Sequence, residues 1–98
     1  MLHFTDMIKS WKHKGLRLFF ETGKKSGILA VHEKRLKIIL QRLNAAVNPD
    51  DMNTPSMKFH KLTGNLLGFY SVTVNANWRV IFGFSGQEVV DVDYLDYH

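Results

Sequence analysis

Residues 69–84 read FYSVTVNANWRVIFGF, and apolar side chains occupy every second position in two segments of this stretch. The alternating set is Tyr70, Val72 and Val74 in the first segment and Trp78, Val80, Phe82 and Phe84 in the second. A period of two predicts β-strands with one buried face. Asn75-Ala76-Asn77 lies between them and predicts a tight turn, because asparagine tolerates a positive φ. The stretch therefore predicts an antiparallel hairpin.

A third strand is predicted after the hairpin. Ser85-Gly86 supplies a second turn signal, and the apolar positions that follow it are Val90, Val92 and Tyr94. Strands joined in sequence order by short turns form an antiparallel meander. Near the other end of the chain, Ile8 to Trp11 is expected to form a short strand.

Two helices are predicted before the meander. The first contains Leu16, Phe19 and Phe20 and should end at Gly23, because glycine adopts the left-handed cap conformation at little cost. The second spans residues 31–47, where apolar residues recur with helical spacing at Leu36, Ile39, Leu40, Leu43, Ala46 and Val47. Its opposite face is polar and partly cationic, with Lys34, Lys37, Gln41 and Asn44.

The predicted fold class is α+β, with an N-terminal strand and two helices packed on a C-terminal antiparallel meander. A chain of 98 residues is expected to form a single domain over residues 1–98. Residues 48–55, NPDDMNTP, have the composition of a linker between its helical and strand halves. There are no cysteines and no apolar run of signal-peptide or membrane-span length, so we expect a cytoplasmic protein with no membrane partner.

Positive charge is concentrated in the first half of the chain. Residues 1–47 contain ten Lys or Arg and three acids, whereas residues 48–98 contain three Lys or Arg and six acids. This asymmetry is typical of a protein that meets a polyanion with one face. A solvated helix surface explains the same pattern equally well.

Two segments together resemble a known toxin family. Residues 68–82, GFYSVTVNANWRVIF, and the terminal Tyr94-Leu95-Asp96-Tyr97-His98 closely resemble the HigB toxins of the RelE/ParE superfamily. Residues 7–16, MIKSWKHKGL, resemble the start of that family, which leaves residues 1–6 as an N-terminal extension. The resemblance implies a RelE-like toxin that cleaves messenger RNA in the ribosomal A site. It also implies a cognate helix-turn-helix antitoxin that is HigA-like, and a toxin that is monomeric alone.

By position, the resemblance assigns five active-site residues: His60, Arg79, Asp96, Tyr97 and His98. Lys58 is expected to contact phosphate, and the RNA-binding set also includes Lys61, Lys34 and Lys37. One position departs from the family pattern. Thr63 stands where similar HigB toxins have a lysine three residues after the histidine, and Lys61 lies two residues before it.

The assigned residue types suit a ribonuclease that uses no metal or cofactor. RNA carries its own nucleophile, the 2′-hydroxyl, so the protein needs a base, a cation for the pentavalent phosphate and an acid for the leaving oxygen. Either His60 or His98 can be the base, with the other as the acid. A guanidinium can donate two hydrogen bonds to phosphate, and Arg79 alternates out of register with the aromatic positions of its strand. Tyr97 could stack on a base, and Asp96 could orient a neighbour.

Each assignment has a structural alternative. His60 could be a surface residue beside a turn, Arg79 could pair with Asp91 or Asp93, and Tyr97 could close the core. Asp91, Asp93, Asp96 and His98 could be imagined as a metal cluster, but alternation puts only Asp91 and Asp93 together and leaves the others at the tail, so no metal is expected. At the level of function, the alternatives are a ParE-like gyrase poison and a non-catalytic nucleic-acid-binding relic of a toxin.

Overall fold

The structure is a computed structural model that describes residues 8–97. Its helices are α1 (Lys14–Thr22) and α2 (Glu33–Ala45), and its strands are β1 (His60–Lys61), β2 (Phe69–Asn75), β3 (Trp78–Ser85) and β4 (Glu88–Asp96). The strands pair antiparallel in sequence order. The α+β class and the meander are confirmed, and β1 is a short edge strand that the sequence did not predict. None of the helices within residues 8–97 is long and apolar enough to cross a membrane.

Helix α1 is capped at both ends. Nδ1 of His13 accepts a hydrogen bond from the Leu16 N–H at 2.9 Å, which caps the first turn. Gly23 ends the helix with a φ of 81°, and its N–H donates to the carbonyl of Phe19 at 2.9 Å. The apolar side of the helix buries Leu16 and Phe19. The predicted stop at Gly23 is confirmed.

Helix α2 is shorter than the predicted span of 31–47. A 3-10 turn, Ala30–His32, precedes it, and the chain leaves the helix at Ala46 with an extended ψ of 141°. The exit has a local cause, because the carboxylate of Asp51 accepts hydrogen bonds from the N–H groups of Val47 and Asn48. The predicted apolar stripe is confirmed at Leu36, Ile39, Leu40 and Leu43, which are all buried. Val47 is exposed, contrary to its predicted place in that stripe.

Residues 48–57 are packed against the core and are not a linker. They form two 3-10 turns, Pro49–Met52 and Pro55–Met57, and each places a methionine in the core. Arg35 ties the second turn to the sheet: its Nη2 donates to the carbonyls of Ser56 at 2.6 Å and Thr73 at 2.9 Å. The composition of this segment is typical of a linker, but the buried methionines and Arg35 hold it in place.

The hairpin of β2 and β3 is confirmed, but the residue with positive φ is not an asparagine. Ala76 has a φ of 51°, and neither Asn75 nor Asn77 has a positive φ. The pairing shifts between Thr73 and Asn75, so Val74 is an extra residue in β2. Such a bulge increases the local twist of the hairpin just before its turn.

A second bulge, in β4, makes the buried residues of this strand differ from the predicted ones. The register passes from Ile81 opposite Asp93 to Gly83 opposite Val90, and Asp91 takes a φ of 56° between them. The extra residue changes the phase of alternation. Val89 therefore lies in the core with Val92, whereas the predicted core residue Val90 is only half-buried.

The N-terminal segment lies beside β4 in parallel, through two isolated bridges. Ile8 pairs with Val89 and Trp11 pairs with Val92. Between the bridges, the Ser10 hydroxyl accepts a hydrogen bond from the Asp91 N–H at 2.8 Å and so satisfies the bulge. The bulge interrupts the pairing, so the predicted strand from Ile8 to Trp11 is reduced to these two contacts.

Candidate active site

The two faces of the sheet have different environments. Helices α1 and α2 pack on the face that carries Val72, Val80, Phe82 and Tyr94, and these residues share one core. Residues directly opposite each other on paired strands point to the same side. The other face therefore carries the row His60, Ser71, Ile81 and Asp93 and the row Thr73, Arg79 and Leu95. We call this side the open face.

Arg79 lies on the open face near the end of the hairpin. Its Nη1 donates to the carbonyls of Ala76 at 2.7 Å and Trp78 at 3.3 Å. It forms no ion pair with Asp91 or Asp93, so the salt-bridge alternative is wrong. Nε and Nη2 make no hydrogen bond within residues 8–97. This side edge of the guanidinium is therefore free to bind an oxyanion with two parallel hydrogen bonds.

His60 lies on the same face, two strands away from Arg79. The Cα atoms of His60 and Arg79 lie two strands apart across the sheet and two residues apart along it, which is roughly 12 Å in standard sheet geometry. Nδ1 of His60 lies 3.0 Å from the carbonyl oxygen of Lys58. A carbonyl can only accept, so Nδ1 carries the proton and the neutral ring keeps the lone pair of Nε2. The exposed imidazole can therefore act as a base through Nε2.

Tyr97 also lies at the open face, next to Leu95. Its backbone N–H donates to the carbonyl of Asn77 at 2.8 Å. Its side chain is 39% exposed and lines a cavity of about 100 Å³ that also includes Ile81 and Leu95. The core-closing alternative is wrong for Tyr97, and the buried tyrosine of this tail is Tyr94.

Asp96 lies on the other side of the same tail. It is paired with Trp78 across the sheet, and it lines a cleft of about 460 Å³ beside Gly27 and Leu29. It is exposed at the rim of the sheet and does not point to the open face beside Leu95 and Tyr97. His98, the remaining assigned residue, lies outside the described residues.

The lysines of the predicted RNA-binding set do not lie together. Lys58 and Lys61 are exposed and flank His60, but Lys61 is opposite Tyr70 and therefore points to the other side of the sheet. Lys34 and Lys37 are exposed on the side of α2 away from its buried stripe. The structure therefore separates these two helix lysines from the open face, with the sheet and core between them. Thr63 is exposed and precedes the 3-10 turn Gly64–Leu66.

Sequence reasoning missed a buried polar pair beneath the sheet. Nδ1 of His32 and the hydroxyl of Tyr94 share a hydrogen bond of 2.7 Å, and the Tyr94 hydroxyl also accepts from the Leu29 N–H. Burial lowers the pKa of His32 and raises the pKa of Tyr94. The edge of the His32 ring packs on Trp78, so this pair supports the strand that carries Arg79. Neither residue carries a periodic or motif signal that predicts the contact.

The two carboxylates nearest the open-face cavity have structural partners. Asp91 accepts a hydrogen bond from the Ser10 hydroxyl at 3.3 Å, and Asp93 accepts one from the Tyr94 N–H at 2.9 Å. Within residues 8–97, no group of three or more His, Asp or Glu side chains is placed to hold a metal ion.

Comparison with known families decides what this arrangement belongs to. Residues 9–98 match the family model for the HigB-like toxin, described as the RelE-like toxin of the type II toxin-antitoxin system HigB. The chain belongs to this HigB family. Among curated relatives, Endoribonuclease HigB of Proteus vulgaris is 42% identical over 92 residues, which cover 94% of this chain and all of that protein. Toxin HigB-1 of Vibrio cholerae serotype O1 is 33% identical over 94 residues, which cover 94% and 98% of the two chains.

Solved structures agree on the fold of this HigB-family chain. The YoeB-YefM complex from Staphylococcus aureus contains a chain that matches with a TM-score of 0.55 at 20% identity, covering 93% of this chain and 97% of that one. The YoeB dimer from the same organism matches with a TM-score of 0.54 at 19% identity, covering 94% and 98%. At these identities the likeness supports the RelE-like fold alone.

Proposed function

We propose that this HigB-family toxin is an endoribonuclease that cleaves messenger RNA in the ribosomal A site. The observation that carries the proposal is the open face, where Arg79 keeps a free bidentate edge and His60 keeps a free Nε2. The name of the Proteus vulgaris relative, an endoribonuclease, supports the same activity. Cleavage of the message stops its translation.

The chemistry needs only groups that RNA and these residues supply. A base, His60 or His98, takes the proton of the 2′-hydroxyl while the 2′-oxygen attacks phosphorus. Arg79 donates two hydrogen bonds to the non-bridging oxygens as negative charge accumulates on them. The bond to the 5′-oxygen breaks, and the other histidine protonates that oxygen. The products are a 2′,3′-cyclic phosphate and a free 5′-hydroxyl.

The remaining assigned residues act around this step. Tyr97 is placed to stack on a base at the open face, Asp96 orients the tail, and Lys58 adds positive charge beside His60. The toxin works in the cytoplasm, where ribosomes and messages occur. Its partner in the cell is a helix-turn-helix antitoxin that is HigA-like, and the family description, a toxin of a type II toxin-antitoxin system, supports an antitoxin partner.

The test compares one message incubated with the protein in the presence and absence of translating ribosomes. We expect cleavage only with ribosomes, because a domain this small has few residues to align the RNA and relies on the ribosome to do so. Arg79→Ala should lower the cleavage rate by about 10² or more, as the loss of an oxyanion donor does elsewhere. Arg79→Lys should restore little, since an ammonium has no bidentate edge.

Each alternative function predicts a different result in the same assay. Equal cutting of free and ribosome-bound message would contradict ribosome dependence. Uncut messages together with DNA-damage signalling on induced expression would favour a gyrase poison. Binding of RNA without any cleavage or growth arrest would favour a non-catalytic relic.

A further inference from the structure

The turn between β2 and β3 holds two residues of the candidate active site. The Ala76 carbonyl accepts the 2.7 Å hydrogen bond from Nη1 of Arg79. The next carbonyl, that of Asn77, accepts the 2.8 Å hydrogen bond from the Tyr97 N–H. Two successive carbonyls of this two-residue loop therefore bind the guanidinium of Arg79 and the backbone of the C-terminal tail.

The direction of the Ala76 carbonyl depends on the backbone of Ala76. With a φ of 51°, Ala76 lies in the left-handed region, which alanine rarely occupies. Returning φ to negative values would rotate the peptide planes on either side of the residue, and the Ala76 carbonyl would then no longer face the guanidinium. The Asn77 carbonyl belongs to the next peptide and continues the pairing of β3 with β4.

We propose that Ala76 is a positioning residue for the cleavage reaction. Its left-handed conformation aims one carbonyl at Nη1 of Arg79, which leaves the Nε and Nη2 edge directed toward the phosphate. The inference rests on the proposed function for its effect on catalysis, but its structural part can be tested without activity.

The test uses a substitution that opposes a positive φ and a matched control at the other end of β3. Ala76→Val should be disfavoured in the left-handed region, because a β-branched side chain is strongly excluded from it. Gly86→Val imposes comparable strain in the β3–β4 turn, where Gly86 has a φ of 63° and an added Cβ meets nothing within 4 Å. Ala76→Gly is the conservative variant, because glycine adopts positive φ freely.

For catalysis, we expect Ala76→Val to lower kcat at least about tenfold while KM changes less than about twofold, the signature of misplaced groups. Gly86→Val, at a matched loss of stability, should retain the wild-type kcat, and Ala76→Gly should recover it. Equal losses of kcat in the valine variants would overturn the proposal, because the effect would then follow from destabilisation alone.

The second readout is independent of cleavage. In ¹⁵N NMR, Ala76→Val should shift the Nε–H signal of Arg79, whereas Gly86→Val should not. An unchanged Arg79 signal in Ala76→Val would overturn the proposal even if activity fell. If the wild-type protein cleaves no RNA, the proposed function fails and this readout still decides the role of Ala76.

A second pair of variants tests the proposal if the Ala76→Val protein does not fold. One glycine inserted after Ala76 lengthens the loop at little cost in stability but displaces the Ala76 carbonyl. The control is one glycine inserted after Gly86. The expected difference in kcat and in the Arg79 NMR signal is the same, and equal behaviour of the two insertions would overturn the proposal.

Discussion

At the scale of the residue, the guanidinium of Arg79 has one side bound to the protein and the other available to a substrate. Nη1 is bound to two carbonyls of the adjacent turn, and the opposite edge makes no hydrogen bond within residues 8–97. A side chain held this way loses less conformational entropy when it binds phosphate. Lysine cannot reproduce the arrangement, because its single ammonium group cannot bind the turn and a phosphate in the same way.

His32 makes the folded state sensitive to acid. Burial lowers its pKa below the ordinary value of 6.5, so below that pH the unfolded chain binds more protons than the folded chain. The free energy of unfolding should therefore decrease as pH falls from 7 to 5. His32→Gln keeps a hydrogen-bonding side chain beside Tyr94 but does not titrate, so its stability should fall less over the same range. Urea denaturation at several pH values measures both slopes, and equal slopes would contradict this role of His32.

At the scale of the element, the loop after α1 is held by a close contact between two glycines. A Cβ built on Gly27 would lie 2.5 Å from Cα of Gly15, and one built on Gly15 would lie 2.7 Å from Cα of Gly27. Only a pair without side chains lets the loop pack this tightly on the start of α1. The contact positions Leu29, whose N–H donates to the hydroxyl of Tyr94.

Gly27→Ala should therefore destabilise the protein by about 1 to 3 kcal/mol, the usual cost of overpacking that moves backbone. Ser26→Ala, at an exposed neighbour in the same loop, is the control and should have little effect. The measurement is the free energy of unfolding in urea. A Gly27→Ala protein as stable as the wild type would show that the loop shifts without cost.

At the scale of the whole molecule, the cationic helix surface and the candidate active-site residues are on opposite sides. Lys34 and Lys37 lie on the outer side of α2, whereas Arg79 and His60 lie on the open face. A toxin that enters a ribosome is surrounded by RNA, so the outer side of α2 can meet phosphates that are not cleaved. Charge on this side should then contribute to binding rather than to chemistry.

Lys34→Gln combined with Lys37→Gln should raise KM several-fold and reduce the salt dependence of ribosome binding, because about two phosphate contacts are lost. The value of kcat should stay unchanged, in contrast to the Arg79 variants. Gln41→Ala, an exposed change on the same side of α2, is the uncharged control. The measurement is steady-state cleavage on ribosomes at two salt concentrations, and unchanged KM in the double variant would remove these lysines from the RNA-binding set.

Much of the fold follows from local pattern, and the errors occur where side chains redirect the backbone. The helical stripe at Leu36, Ile39, Leu40 and Leu43 and the stop at Gly23 needed no tertiary information. The predicted alternation of β4 was wrong at Val90, because the bulge at Asp91 depends on Ser10 from the other end of the chain. The burial of Met52 was missed, because no periodic pattern surrounds it.

The sequence by itself determined the two helices, the three-stranded meander and the placement of Arg79 on the side opposite the aromatic core, because helical and strand periodicity are local properties. The resemblance of its motifs identified the family, and it named His60 and Tyr97 as site residues before their positions were known. Only the tertiary structure decided how these residues are presented. The positive φ of Ala76 and the hydrogen bond from Nδ1 of His60 to the Lys58 carbonyl are features of local backbone geometry, and the separation of the helix lysines from the open face depends on how segments pack. No pattern of residue types encodes the directions of carbonyls or the packing of segments.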